Sequence, residues 1–160
     1  MKVFVYGTLK NGEGNHIFLQ HATYLGDAWT KEEYTLLEDH YNGLPYVIKE
    51  PSYSINGEIY EVDEFTFMMI DNLEGHPHFY ERELVECFIP IEDDFARDDG
   101  RMKQGIQEEE AWLYFLKEFD TTSVRKLPNG YWRGEGGDKE RKLTSEELDS
   151  VVPKLWDKLK

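Results

Sequence analysis

Along the first 116 residues, apolar positions recur mostly at strand spacing, and the period changes once. Val3, Phe4, Val5 and Tyr6 are β-branched or aromatic and apolar on both faces, which predicts a short strand deep in a sheet. Asn15 to Gln20 predicts a short helix with Asn15 as its N-cap. Ala22 to Trp29 and Glu33 to Glu38 read as two strands separated by a polar turn at Thr30-Lys31-Glu32. Leu44 to Ile48 is a further strand with Pro45 at its start, where proline is tolerated. Gly57 to Val62 alternates polar and apolar, as a half-buried strand does. Asp63 or Glu64 then opens a helix with Phe67, Ile70 and Leu73 on one face. Gly75 is placed to end it in a left-handed conformation, and Pro77 cannot continue it.

Tyr80 to Ile91 returns to strand spacing, with Val85, Cys87 and Ile89 on one face, and Ala111 to Leu116 is its partner. The polar, acidic stretch 92–110 between them reads as a long mobile connection. Turn residues dominate 127–137. Thr144 and Glu147 form a capping box for a last helix carrying Leu148, Val151, Val152, Leu155, Trp156 and Leu159, with Pro153 kinking it. Its apolar stripe packs on the core or serves a partner. The order predicts an α+β fold, most simply a small mixed β-barrel with flanking helices. The expected organisation is one domain over 1–160, with a core at about 2–116 and a C-terminal extension, 117–160, packed on it.

Composition narrows the function. The chain has 33 acidic against 18 basic residues and a formal net charge of −15. That charge repels phosphate backbones and anionic lipid, so nucleic acid and membrane surfaces are excluded as partners. Cys87 is the single cysteine, so no intramolecular disulfide forms and a reducing compartment fits. With no signal-peptide pattern and no apolar run of spanning length, a cytoplasmic protein is expected. His76 and His78 flank Pro77 without a spaced partner motif, so neither a metal nor a cofactor is expected. Cys87 alternates with apolar residues and reads as a core thiol. Glu108-Glu109-Glu110 reads as a solvated run.

Two stretches carry candidate chemistry. After the first strand comes Tyr6-Gly7-Thr8-Leu9-Lys10-Asn11-Gly12. Gly7 and Gly12 bracket a turn in which backbone amides can approach a carboxylate or a developing oxyanion; alternatively they only let the chain turn. The second stretch reads Asp71, Glu74, Gly75, Pro77, Tyr80 and Arg82 in the spacing D-x-x-E-G-x-P-x-x-Y-x-R. Together the two motifs resemble the gamma-glutamylcyclotransferase-like family, within it the gamma-glutamylamine cyclotransferase branch.

That resemblance implies a compact mixed barrel with a ligand cavity at its mouth. It also implies an enzyme that converts a γ-glutamyl amine or peptide to 5-oxoproline and free amine, with a small-molecule substrate as its partner. Glu74 is the implied general acid and base. The helix C-terminus, Asp71 one turn earlier and burial beside Phe79 and Tyr80 would all raise its pKa above roughly 4.3. The same resemblance assigns Tyr6, Gly7, Thr8 and Leu9 to the glutamyl head group. Tyr80 is either a substrate hydrogen-bond partner or a rim tyrosine. Arg82 either meets the substrate α-carboxylate or pairs with Glu81, Asp71 or Glu74. Two alternatives stand beside this reading: a non-catalytic acidic interaction protein on the same scaffold, and an amide hydrolase.

Overall fold

A computed structural model of the chain describes residues 1–93, 103–118 and 123–134. Six strands, one 3-10 helix and one α-helix make up the fold: β1 (Lys2–Val5), a 3-10 turn (His16–Leu19), β2 (Thr23–Asp39), β3 (Pro45–Glu61), α1 (Glu64–Glu74), β4 (Tyr80–Asp93), β5 (Lys103–Leu116) and β6 (Val124–Lys126). The strands pair in the order β3-β1-β5-β4-β2-β6, and β2 also pairs with β3, so the first five close a ring. β1 runs antiparallel to β3 and parallel to β5, meeting it at Val3 and Trp112.

Alternation along the strands divides the apolar residues between two clusters. One takes Phe4, Leu36, Val47, Ile59, Val85, Cys87, Leu113 and Phe115, and so is supplied by all five ring strands. The other takes Val3, Val5, Tyr46, Tyr80, Tyr114 and Leu116, with Phe67 and Ile70 from α1. The helix therefore lies on the second face. Its start is fixed by Asp63, whose side chain accepts from the Thr66 amide at 2.7 Å. Its end is fixed by Gly75 at φ +66°, as the sequence predicts.

Three differences from the sequence reading have physical causes. The two strands expected on either side of Thr30 to Glu32 are one strand, β2, with a register shift between Trp29 and Glu33. Thr30 is buried there, donating to the Glu32 carbonyl and accepting from the Ile55 amide. The polar triplet is thus a bulge that bends a long strand, not a turn. In the same way β3 runs on through Pro51, because Tyr34 pairs with Tyr53 and Thr35 with Ile48, leaving the proline outside the ladder. Finally, most of the stretch expected as a connection is strand: β4 reaches Asp93 and β5 begins at Lys103. The terminal helix expected over 144–159 lies outside the described residues.

The segment after β5 joins the fold closely. β6 pairs with β2, and Trp132 is buried in the ring cluster, its Nε1 donating to the Gly43 carbonyl at 3.0 Å.

The Cys87 thiol is buried and donates weakly to the Val85 carbonyl. Burial, helped by the nearby Glu109 carboxylate, pushes its pKa up to about 12. The native thiol should therefore resist a disulfide reagent at pH 8 and react fully once urea unfolds the chain. Because the pKa is raised on folding, this contribution to stability is complete below the unfolded value of roughly 8.5 and lost as pH rises toward about 12. A lower urea midpoint at pH 10 than at pH 8, with the difference reduced in Cys87→Ala, checks the sign; the remainder comes from buried phenols whose pKa values folding also raises.

Candidate active site

The loop that follows β1 is held from several sides. The Lys10 amide donates to the Gly7 carbonyl at 3.0 Å and the Asn15 amide to the Thr8 carbonyl at 2.8 Å. Asn15, expected as a helix cap, instead donates from Nδ2 to Thr8 Oγ1 at 2.9 Å. The His16 ring Nδ1 lies 2.9 Å from the Leu9 carbonyl, and since a carbonyl only accepts, that nitrogen carries the proton. Lys10, buried at 5% exposure, donates to the Trp132 carbonyl at 2.6 Å with its ammonium 4.2 Å from the Tyr131 ring centre. Among the described residues, neither the Thr8 nor the Leu9 amide donates to a group of the protein.

Gly7 is required here by a close approach. A Cβ on it would stand 2.4 Å from Cγ of Pro45, part of a ring that cannot rotate away. The contact sets the loop against the start of β3.

The loop and the end of α1 meet at one cavity of about 230 Å³. Tyr6, Gly7, Thr8 and Leu9 line it with Glu74 and Tyr80, so two segments far apart in sequence come together. Asn15, Asn42, Pro45, Tyr46, Phe79 and Tyr114 also line it. The volume suits an amino-acid-sized head group and is below the roughly 300–1,000 Å³ of drug-sized sites. Among the described lining residues none is Lys, Arg or His. A wider cleft of about 850 Å³ lies beside Lys10, Asn11, Glu58 and Tyr60, and holds none of the two motifs' candidate residues.

Arg82 is placed elsewhere. Its Nε donates to Asp71 Oδ1 at 2.8 Å, and its guanidinium lies 4.4 Å from the ring centres of both Phe67 and Trp112. It is absent from the described lining of the cavity. Of the alternatives open from the sequence, the pairing with Asp71 is the one formed. The same Oδ1 accepts the Tyr114 hydroxyl at 2.6 Å. The guanidinium thus offsets the repulsion that Asp71 was expected to exert on Glu74.

Three buried phenols surround Glu74. The Tyr6 hydroxyl donates to the Tyr114 carbonyl at 2.9 Å and the Tyr80 hydroxyl to the Pro45 carbonyl at 3.3 Å. Burial first, and then the Glu74 charge among others, raises the pKa of Tyr6 and Tyr80 well above the ordinary tyrosine value. Tyr114 is raised by burial, by its bond to Asp71 and by the charges of Asp71 and Glu74. All three stay neutral at physiological pH.

The family is decided by sequence comparison. The model for gamma-glutamyl cyclotransferase, AIG2-like proteins matches residues 3–134. The chain belongs to this family. A Methanocaldococcus jannaschii protein provisionally named a gamma-glutamylcyclotransferase is 42% identical over 118 residues, 72% of this chain and 84% of that one. The gamma-glutamylaminecyclotransferase of Rattus norvegicus is 36% identical over 94 residues, 54% of this chain and 63% of that one. The crystal structure of an AIG2-like protein from Mus musculus aligns at a TM-score of 0.65 and 26% identity, covering 84% of this chain and 89% of that one. For this AIG2-like chain the match runs past the core boundary expected at residue 116, which agrees with the burial of Trp132.

Sequence reasoning missed Tyr114, Tyr46, Asn42 and the second role of Asn15. For Tyr114 a signal existed: it alternates in β5 with Trp112 and Leu116, on the face opposite Leu113 and Phe115. Asn42 comes from a hairpin tip whose approach to the cavity only folding creates.

Two outcomes follow in this family member. Gly7→Ala should lower stability by about 1–3 kcal/mol through overpacking against Pro45, read as a fall in melting temperature of several degrees. Arg82→Ala should lower the urea midpoint by leaving Asp71 short of a donor, by about 1–3 kcal/mol. A rise in KM without loss of stability would instead place Arg82 on the substrate.

Proposed function

We propose that the protein is a gamma-glutamyl cyclotransferase that converts a γ-glutamyl amine or peptide to 5-oxoproline and a free amine, with Glu74 as its general acid and base. The observation that supports this most is the shared cavity: Glu74 lines one space of about 230 Å³ with Thr8 and Leu9, whose amides donate to no group among the described residues. Family membership favours neither the non-catalytic interaction protein nor the hydrolase.

The substrate carries its own nucleophile, so proximity is supplied before the enzyme acts. Glu74 takes a proton from the α-ammonium. The freed amine attacks the γ-carbonyl carbon, a C–N bond forms and the carbonyl electrons move onto oxygen. Amide donors of the Tyr6–Leu9 loop would steady that oxyanion or the neighbouring carboxylate. Glu74 then gives its proton to the departing nitrogen, and the original amide C–N bond breaks as the carbonyl reforms; the second proton of the ring nitrogen passes by way of Glu74 to the freed amine, which leaves as an ammonium ion beside the neutral lactam. No outside water or cofactor enters the balance. Tyr80 lines the substrate space, and Arg82 acts through Asp71. Leu44 and Phe79, both partly exposed at the cavity rim, would border the leaving amine. The one buried thiol fits a reducing, cytoplasmic setting.

The test is release of 5-oxoproline from a γ-glutamyl amide. Glu74→Gln should cut kcat by about 10²–10⁴, and the wild-type rate should fall at low pH as the Glu74 carboxylate protonates, a limb absent in the variant. Equal rates would remove Glu74 from the reaction, and free glutamate in place of the lactam would make the protein a hydrolase.

A further inference from the structure

The cavity's hydrogen-bonding groups are sorted by polarity, and the sorting follows from which partners already occupy each group. A phenol has one proton to give and an oxygen that accepts. Three of the four buried phenols of the lining have given theirs: Tyr6 to the Tyr114 carbonyl, Tyr80 to the Pro45 carbonyl and Tyr114 to Asp71. What they retain is acceptor capacity, next to the acceptor carboxylate of Glu74. The loop is the reverse. Among the described residues the Thr8 and Leu9 amides have no acceptor, and Thr8 Oγ1 already accepts from Asn15, which leaves its own proton to donate. With no basic side chain among the described lining residues, a zwitterionic head group has one favourable orientation: carboxylate toward the loop, ammonium toward the phenols and Glu74.

Among the phenols, Tyr114 is held most firmly. Its acceptor Asp71 is fixed in turn by Arg82, whose guanidinium lies over the neighbouring rings of Phe67 and Trp112. Asp71 and Glu74 are three residues apart on α1 and share a face. The phenol bonded to Asp71 therefore sits one helical turn from the proton-transferring carboxylate.

We infer that Tyr114 is a substrate-orienting residue, its phenol oxygen accepting a hydrogen bond from the α-ammonium of the glutamyl group. This rests on the cyclotransferase reading above. With one N–H held by Tyr114 and another proton passed to Glu74, the nitrogen lone pair left behind is turned to the γ-carbon. Specificity follows, because acceptors desolvated by a ligand that brings no donor stay unpaired, and such a ligand is disfavoured. The site selects for a free primary α-amine at the binding step as well as in the chemistry.

Two probes test this in the Glu74→Gln protein, where turnover is suppressed: γ-glutamylmethylamide and its des-amino counterpart, the monomethylamide of glutaric acid. Titration calorimetry should show the amine ligand binding about 10- to 100-fold more tightly. Adding Tyr114→Phe should erase most of that preference while leaving the des-amino ligand's affinity unchanged, which also reports an intact cavity. As a measurement independent of any change at Tyr114, ¹³Cζ-labelled tyrosine should show the Tyr114 resonance moving with the amine ligand and not with the other. Equal weakening of both ligands, or an unchanged preference, would overturn the inference and leave the cyclotransferase reading standing. Failure of both ligands to bind the Glu74→Gln protein would overturn the glutamyl reading and this inference together.

Discussion

One carboxylate oxygen holds the site in register. Asp71 Oδ1 accepts from Arg82 on β4 at 2.8 Å and from Tyr114 on β5 at 2.6 Å, so a residue of α1 is tied to two neighbouring strands at once. The bonds run to a partly buried charge and are stronger than neutral ones. Phe67 and Trp112, themselves neighbours, complete the clamp by presenting two rings to the guanidinium. Glu74 stands one turn further along the same helix, so the ties on Asp71 anchor the end of α1 that carries the candidate acid.

The opposite wall is rigid for a different reason. The loop after β1 has little regular structure, yet its carbonyls and the Thr8 side chain are fastened to Asn15 and His16, the Asn11 amide to Glu58 and the Lys10 ammonium to the Trp132 carbonyl. Irregular backbone fixed in this way can hold amides toward a ligand without ordering them at the moment of binding. The segment ending at residue 134 belongs to this scaffold, since Trp132 supplies both a core ring and the carbonyl that receives Lys10.

A chain with a net charge of −15 is an unpromising host for a carboxylate-bearing ligand. The cavity resolves this with neutral donors. Free amides and a hydroxyl present positive ends of dipoles, which in a confined site act strongly without requiring a buried cation and its desolvation. The acidic surface keeps its long-range field and the site keeps its own polarity.

The strand content, the central helix, both of its ends and the two motifs were legible in the chain, because each rests on local rules: alternation, helical spacing, a capping aspartate at Asp63 and a left-handed glycine at Gly75. Glu74 and the Tyr6–Leu9 loop were found for the same reason, as short motifs of fixed spacing. Strand continuity was not legible. A polar triplet at Thr30 to Glu32 and a proline at Pro51 look like breaks, and only pairing across the sheet turns them into bulges. The partner of Arg82 was equally undecided, since three carboxylates lay within plausible reach along the sequence and burial beside Phe67 and Trp112 chose among them. Asn42 and Pro45 entered the site by long-range packing alone, and for Tyr114 alternation gave the face but only packing gave the cavity. Sequence by itself singled out the candidate groups, because they stand in short motifs of fixed spacing. Tertiary structure decided which of their protons and lone pairs remain unspent, because that depends on partners up to 108 residues away.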